Sequence, residues 1–166
     1  MASIRRQLTL FVADRSAGVI EKIRQKYNPA QYALIKSHVT LCREDELIQI
    51  ESIVKTLEKI KFAPVVIQFD NPIRFNDGKG VLLPAKGENS SFQLLRKAVL
   101  KDVIEFPRIA EPHITYMHPR NSSCTDEIFK QICQYDSPHE IHFYKISLIE
   151  QYGTEKWQII QSYDLY

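Results

Sequence analysis

Alternating and helix-periodic apolar residues divide the first half of the chain into strands and helices. The predicted order is strand 8–13, helix 17–27, strand 34–42, helix 45–60, extended segment 64–75 and strand 81–84. Ser16 and Asp45 are positioned to cap the two helices, and Asn28-Pro29 ends the first one. The segment Asn76-Asp77-Gly78-Lys79-Gly80 is a strong turn signal, so segments 64–75 and 81–84 are predicted to form a hairpin.

The second half repeats this order. It is predicted as helix 91–103, strand 109–117, helix 125–135 and a second hairpin of strands 141–150 and 156–163, with Ser91 as a helix cap and Trp157 in the core. A shift of 75 positions places Ser16 on Ser91, His38 on His113, Thr40 on Thr115 and Gly78 on Gly153. We therefore predict one domain over residues 1–166, built from internal repeats of roughly 5–80 and 81–163 that pack as two lobes.

Composition places the chain among globular proteins and narrows its partners. The 166 residues are 25% charged and 44% hydrophobic, with a formal net charge of +2. This charge is too small for a groove that grips long nucleic acid, but it permits a nucleotide or an RNA end. No apolar run is long enough for a membrane span, and the apolar stretch 8–13 is too short for a signal peptide. We expect a cytoplasmic monomer, with Cys42, Cys124 and Cys133 as reduced thiols outside any Cys-x-x-Cys motif.

Two short motifs carry the chemistry of the chain, His38-Val39-Thr40 and His113-Ile114-Thr115. Strand side chains alternate, so the histidine and threonine of each motif should lie on one face, roughly 6.6 Å apart along the strand. If the two halves pack about a pseudo-two-fold axis, both pairs face one cleft. The same alternation is expected to place Cys42 and Met117 on the cleft floor.

Two imidazoles on opposite sides of a phosphorus atom would supply a base and an acid to in-line phosphodiester cleavage. The hydroxyls of Thr40 and Thr115 can donate to the non-bridging oxygens, and no metal or other cofactor is required. We expect His113 to act as the base and protonated His38 as the acid, and the reverse assignment stays open.

Two His-x-Thr strands within a duplicated strand and helix pattern resemble the two-histidine (2H) phosphoesterase superfamily. That superfamily includes bacterial 2′-5′ RNA ligase-like proteins and 2′,3′-cyclic nucleotide phosphodiesterases, and the resemblance covers essentially the whole chain, in the compact bacterial form. It implies an α+β bilobal body with two antiparallel sheets lining a central cleft and helices outside. It also implies a hydrolase that acts on a 2′,3′-cyclic phosphate or a 2′-5′ linkage, with ligation as the reverse reaction. The alternative is a non-catalytic module that binds a nucleotide or RNA end in the same cleft.

Other residues are weaker candidates for the site. Phe11 is a candidate platform for a nucleobase, and Tyr116 and Arg43 are further candidates for substrate binding. A zinc site built from His113, His118, His139 and His142 is disfavoured because their spacing matches no common structural zinc motif. The chain has no Gly-x-Gly-x-x-Gly, P-loop or Gly-x-Ser-x-Gly motif, which disfavours nucleotide-cofactor enzymes and serine hydrolases.

Overall fold

A computed structural model describes residues 2–166, and these residues contain nine strands and five α-helices. In chain order they are β1 (Ile4–Phe11), α1 (Asp14–Tyr27), α2 (Pro29–Leu34), β2 (His38–Cys42), α3 (Ile50–Lys59), β3 (Val65–Gln68), β4 (Ile73–Phe75), β5 (Gly80–Pro84), α4 (Ser90–Leu100), β6 (His113–Met117), α5 (Asp126–Ile132), β7 (Glu140–Phe143), β8 (Lys145–Tyr152) and β9 (Gln158–Asp164). Both predicted hairpins are confirmed, as β4–β5 and β8–β9. Asn76, Asp77 and Gly78 turn the first hairpin with positive φ angles, which asparagine, aspartate and glycine tolerate best.

The sheets are antiparallel, and each of them combines strands from the first and the second half of the chain. One sheet has the order β2-β1-β8-β9, a second has the order β4-β5-β6, and β3 pairs with β7. The β4–β5 hairpin therefore pairs with β6 of the second half, and β8 pairs back with β1. This arrangement is the predicted bilobal α+β fold with pseudo-two-fold symmetry. It supports the predicted repeats over 5–80 and 81–163, which stay a prediction.

The centre of the molecule brings β2 and β6 against each other, so the two predicted motif strands are neighbours from different sheets. Helix α1 packs against β6, and α4 packs against β2 and β3, so each helix also contacts the opposite lobe. Alternate residues of the strands fill the core, among them Leu8, Leu10, Val39, Leu83 and Ile114, all fully buried. The opposite faces of the same strands are thereby left for the cleft.

Several local predictions are wrong at the helix ends. Helix α1 begins at Asp14, which places Ser16 inside its first turn, and Ala13 precedes it without a side-chain cap. Helix α4 begins at Ser90, so Ser91 lies within it. Asp45 belongs to a 3₁₀ turn over 44–46, and α3 starts later. Thr125, which was not predicted as a cap, does cap α5, since its hydroxyl accepts a hydrogen bond from the Ile128 amide at 3.2 Å.

Three further differences concern the connections and the core. The predicted strand 34–42 begins only at His38, because Pro29 starts the short helix α2, which runs to Leu34, and proline suits the first position of a helix. The predicted strand 141–150 splits at Tyr144, so that β7 pairs with β3 and β8 pairs with β1. Trp157, which was predicted in the core, is half-buried at the surface, where the Arg5 guanidinium lies 5.4 Å from its ring centre.

Within residues 2–166, no helix is long and apolar enough to cross a membrane.

Candidate active site

The His-x-Thr motifs occupy equivalent positions on β2 and β6. On the first lobe, His38 pairs with Phe11 of β1, and Thr40 pairs with Thr9. On the second lobe, His113 pairs with Pro84 of β5, and Thr115 pairs with Leu82. Alternate residues of a regular strand point to the same face, so each histidine lies on the same face as its threonine. Because β2 and β6 are neighbours and the charge of His113 acts on His38, the structure brings the two motifs close together.

Both imidazoles are oriented by the same kind of hydrogen bond. The His38 Nδ1 lies 2.8 Å from the carbonyl oxygen of Lys36, and the His113 Nδ1 lies 2.9 Å from the carbonyl oxygen of Glu111. A carbonyl oxygen only accepts, so Nδ1 of each ring must carry the proton of this bond. In the neutral ring, Nε2 is then the free basic nitrogen, available to a substrate.

The surroundings of His38 hold its ring neutral. Burial lowers the pKa of His38 to about 4, although the hydrogen bond to the Lys36 carbonyl opposes this change. The positive charges of Arg24 and His113 lower the pKa further. The Phe11 ring meets the imidazole edge-on, with 6.0 Å between ring centres, and supplies part of this apolar environment. At neutral pH, His38 is therefore an unprotonated base, whereas His113 is exposed.

A β-bulge follows each motif and corrects the prediction for Cys42 and Met117. Between Leu8 and Thr9 the β1–β2 register shifts, so that Cys42 lies opposite Leu8. The β5–β6 register shifts in the same way, which places Met117 opposite Val81. Cys42 and Met117 are accordingly buried in the core instead of lining the cleft. An extra residue in one strand reverses the alternation beyond it, and the sequence pattern alone does not reveal this.

The three weaker candidates for substrate binding lie in different surroundings. Phe11 lies beside His38 and is half-buried, so it borders the cleft. Tyr116 is not at the cleft, because it is buried in the core and its hydroxyl donates to Ser137 Oγ at 2.8 Å. Arg43 is exposed beyond the end of β2, with its guanidinium 3.7 Å from the Asp45 carboxylate. The structure therefore keeps only Phe11 next to the motifs.

A groove of about 1030 Å³ extends along the second lobe and includes His113. Its walls are largely apolar and include Ile73, Phe75, Leu82, Pro84, Leu94 and Ile109. The corresponding pocket of the first lobe is smaller, about 280 Å³, and is lined by the polar residues Glu21, Lys36 and Lys156 among others. The groove beside His113 is therefore larger and more apolar than the pocket on the first lobe.

The remaining histidines lie apart from the motifs. His142 is exposed, with Nε2 2.9 Å from the Glu140 carboxylate, and His139 is exposed as well. His118 is half-buried after β6, and its backbone amide donates to Asn28 Oδ1 at 2.8 Å. Within residues 2–166, no group of three or more histidine, cysteine, aspartate or glutamate side chains is placed to hold a metal ion.

Sequence reasoning missed the polar residues behind the cleft, above all Glu21, Arg24, Gln93 and Arg96. Arg24 and Arg96 are almost fully buried, which is rare for arginine. A signal was present, since the pattern Glu/Gln-x-x-Arg recurs 72 positions apart on two predicted helices. Helical charges of this kind are ordinarily solvated, so the pattern alone did not single them out.

Two lobes related by a pseudo-two-fold axis, each giving one His-x-Thr strand to a shared cleft, define a two-histidine class of α+β proteins. The chain belongs to the 2′-5′ RNA ligase superfamily, whose family model matches residues 12–155. Membership of this family supports phosphoesterase activity in general. No curated protein matches the chain.

Solved structures show the same fold over nearly the whole chain. E. coli LigT complexed with 3′-AMP is 13% identical, with a TM-score of 0.65 and 99% of both chains covered. A structure described as a phosphoesterase is 12% identical, with a TM-score of 0.65 and coverage of 98% of this chain and 99% of that one. A Thermus thermophilus protein, TT0787, is 12% identical, with a TM-score of 0.57 and 97% of both chains covered. At these identities the likeness establishes the fold.

Proposed function

We propose that the protein is a metal-independent phosphodiesterase that acts on the 2′,3′-cyclic phosphate or 2′-5′ phosphodiester of a nucleotide or RNA end. The observation that carries this proposal is the matched pair of imidazoles, each with Nδ1 bound to the carbonyl two residues earlier. This arrangement leaves Nε2 of both rings free for a substrate, as acid–base catalysis at a single phosphorus atom requires.

His38 is the base in this proposal, the reverse of the assignment that the sequence first favoured. Its lowered pKa keeps Nε2 unprotonated, so it can remove a proton from the attacking water. The water oxygen bonds to phosphorus, the ester bond to the leaving ribose oxygen breaks, and His113, which enters the step as the imidazolium, gives that oxygen its Nε2 proton. The product is a phosphomonoester and a free ribose hydroxyl. In the reverse direction, the same groups would join a 2′-5′ bond.

Thr40 and Thr115 serve the phosphoryl oxygens in this proposal. Both hydroxyls lie on the cleft faces of their strands and are partly exposed. Hydroxyl donors aimed at developing negative charge stabilise the transition state more than the ground state. Phe11, beside His38, is proposed to contact the nucleobase.

The nature of the substrate follows from the charge and from the relatives. With a net charge of +2, the chain lacks the strong positive field of proteins that bind long RNA. E. coli LigT has been solved with 3′-AMP, with ATP and with NADP⁺, all of them small nucleotides. These observations support a small nucleotide or an RNA terminus as the partner of the cleft, and we propose that one monomer suffices for it.

The test is hydrolysis of 2′,3′-cyclic nucleotides and 2′-5′ dinucleotides in the presence of EDTA. Wild type should release phosphomonoester, and His38→Ala or His113→Ala should each reduce turnover by about 10²- to 10⁴-fold with the fold intact by circular dichroism. His139→Ala, which removes an exposed histidine far from the motifs in sequence, is the matched control and should keep full activity.

Two outcomes would contradict the proposal. Near-wild-type turnover by either motif variant on a confirmed substrate would exclude the two-histidine mechanism. If no substrate is turned over, while nucleotides raise the melting temperature of the folded protein, the cleft is a binding module. An acid–base enzyme should also show a bell-shaped dependence of kcat/KM on pH, which a binding module does not show.

A further inference from the structure

The carbonyl groups that orient the two histidines lie in the loops that lead into β2 and β6. A loop peptide can rotate, and a rotation of the Lys36 or Glu111 carbonyl would release the imidazole that it holds. The contacts that fix these two peptides therefore determine how firmly each imidazole is held.

On the first lobe, α1 holds the residues on both sides of Lys36. The Glu21 carboxylate accepts a hydrogen bond from the Ser37 backbone amide at 2.8 Å. One turn further along the helix, Arg24 Nη2 donates to the Ile35 carbonyl at 2.7 Å. Arg24 also binds the Glu21 carboxylate at 2.9 and 3.0 Å, so the two side chains support each other.

On the second lobe, α4 holds the residue next to Glu111 in the same way. The Gln93 amide Nε2 donates to the Ala110 carbonyl at 2.5 Å, and the Ala110 backbone amide lies 3.4 Å from Gln93 Oε1. One turn further along the helix, Arg96 Nη2 donates to the Arg108 carbonyl at 3.1 Å.

The two devices occupy similar places in the fold, although their spacing of 72 positions differs from the shift of 75 that aligns the two motifs. Gln93 lies 72 positions after Glu21, and Arg96 lies 72 positions after Arg24. Each pair lies on a helix that comes before a motif strand in the chain, with the short α2 between α1 and β2, and each binds backbone groups within five residues before the histidine. Packing alone does not require a polar side chain at the same point in both lobes. The shared feature of the two points is the carbonyl that accepts the Nδ1 proton.

We propose that Glu21 and Gln93 are positioning residues, which fix the loop peptides before His38 and His113 so that each imidazole keeps Nδ1 on its backbone acceptor and Nε2 toward the cleft. The activity part of this inference rests on the proposed function. Gln93 also borders the groove beside His113. Both ends of its amide face Ala110 backbone groups, however, so a role in holding the loop fits its contacts better than a role in binding substrate.

Gln93→Met is the sharper test, because it removes the amide at nearly constant volume and without a change of charge. We expect kcat to fall by about 10- to 100-fold with little change in KM, the result of a slightly misplaced catalytic group. Gln131→Met is the matched control. Gln131 is also half-buried on a helix and accepts from the Tyr27 hydroxyl at 2.9 Å, away from both motifs.

The second readout, ¹⁵N NMR of the imidazole rings, does not depend on turnover. It distinguishes a neutral ring protonated at Nδ1 from one protonated at Nε2. In Gln93→Met, His113 should lose its preference for the Nδ1-protonated form while His38 keeps it. In Glu21→Gln, which keeps an acceptor for the Ser37 amide but weakens the bonds to Arg24, a smaller effect should fall on His38 and spare His113. Gln93→Glu, which keeps an acceptor for the Ala110 amide but loses the donor to its carbonyl, should be intermediate and replaces Gln93→Met if that variant does not fold.

The possible outcomes separate this inference from the proposed function. Unchanged kcat and unchanged His113 tautomer in Gln93→Met would overturn the positioning role. A rise in KM alone would instead make Gln93 a substrate-binding residue and would also overturn it. If wild type hydrolyses no substrate but the tautomers shift lobe by lobe as expected, the proposed function fails and the positioning role stands.

Discussion

Replacing His38 by glutamine should change how the stability of the folded protein depends on pH. Burial lowers the pKa of His38 to about 4 in the folded chain, whereas a histidine in an unfolded chain titrates near 6.5. Between these two pH values, the His38 ring is protonated in the unfolded chain and unprotonated in the folded chain. The free energy of unfolding of the wild type therefore falls as the pH is lowered through this range. Above about pH 6.5, His38 is neutral in both states and causes no such loss of stability.

The size of the effect follows from the width of that range. Each pH unit between the two pKa values is worth about 1.4 kcal/mol, so the whole range corresponds to about 3 kcal/mol. This value is an upper limit, because the His38 ring keeps some exposure to water in the cleft, and screening reduces it toward about 1–2 kcal/mol. Glutamine does not titrate, so the free energy of unfolding of His38→Gln should not show this decrease at low pH.

The assay is urea denaturation followed by circular dichroism between about pH 7.5 and about pH 4.5. The difference in free energy of unfolding between wild type and His38→Gln should move in favour of the variant as the pH falls. His139→Gln, the loss of an exposed histidine, should run parallel to wild type. Parallel curves for wild type and His38→Gln would show that His38 is not held neutral, and the base role derived from its burial would fall with it.

Two further predictions concern the cleft and the core. Thr40→Ala and Thr115→Ala should each lower kcat by about 10- to 100-fold, less than the histidine variants, because one hydroxyl donor to the phosphoryl group is lost. Steady-state kinetics checks this, and serine at either position should restore most of the loss. Glu46→Gln should reduce the free energy of unfolding by about 3–5 kcal/mol, since it leaves the buried Arg96 guanidinium without the carboxylate that lies 2.5 Å away. Glu44→Gln, at an exposed ion pair, should cost less than about 1 kcal/mol in the same urea titration.

The strands that carry the motifs were predictable because their pattern is local. His38 and Thr40, like His113 and Thr115, are two residues apart in apolar strands, and alternation alone puts each pair on one face. The turn at Asn76-Asp77-Gly78 is equally local, since few residues accept its positive φ angles. The fixed offset between the halves then predicts two lobes, although it does not reveal that their strands are exchanged.

Features that depend on tertiary contacts were not predictable in this way. Cys42 was expected in the cleft and lies in the core, because a bulge changes the register of β2 against β1. Asp45 was expected to cap a helix, but the neighbouring Glu46 is drawn inward. Burial alone would raise the pKa of Glu46, yet hydrogen bonds from Arg96 and from the Arg43 backbone outweigh it and lower the pKa. The chain makes a 3₁₀ turn there to bring the carboxylate to its partners.

The asymmetry of the two histidines also arises from their neighbours and not from the motifs. The same His-x-Thr sequence gives a ring beside Phe11 on the first lobe and an exposed ring at the edge of an apolar groove on the second. Acid–base catalysis at one phosphorus atom needs one imidazole that accepts a proton and one that donates it. Two imidazoles in identical surroundings would favour the same protonation state, and neither would be set apart as the acid or the base. In the proposed mechanism, burial of His38 next to Phe11 makes it the base, and the exposed His113 is left as the acid.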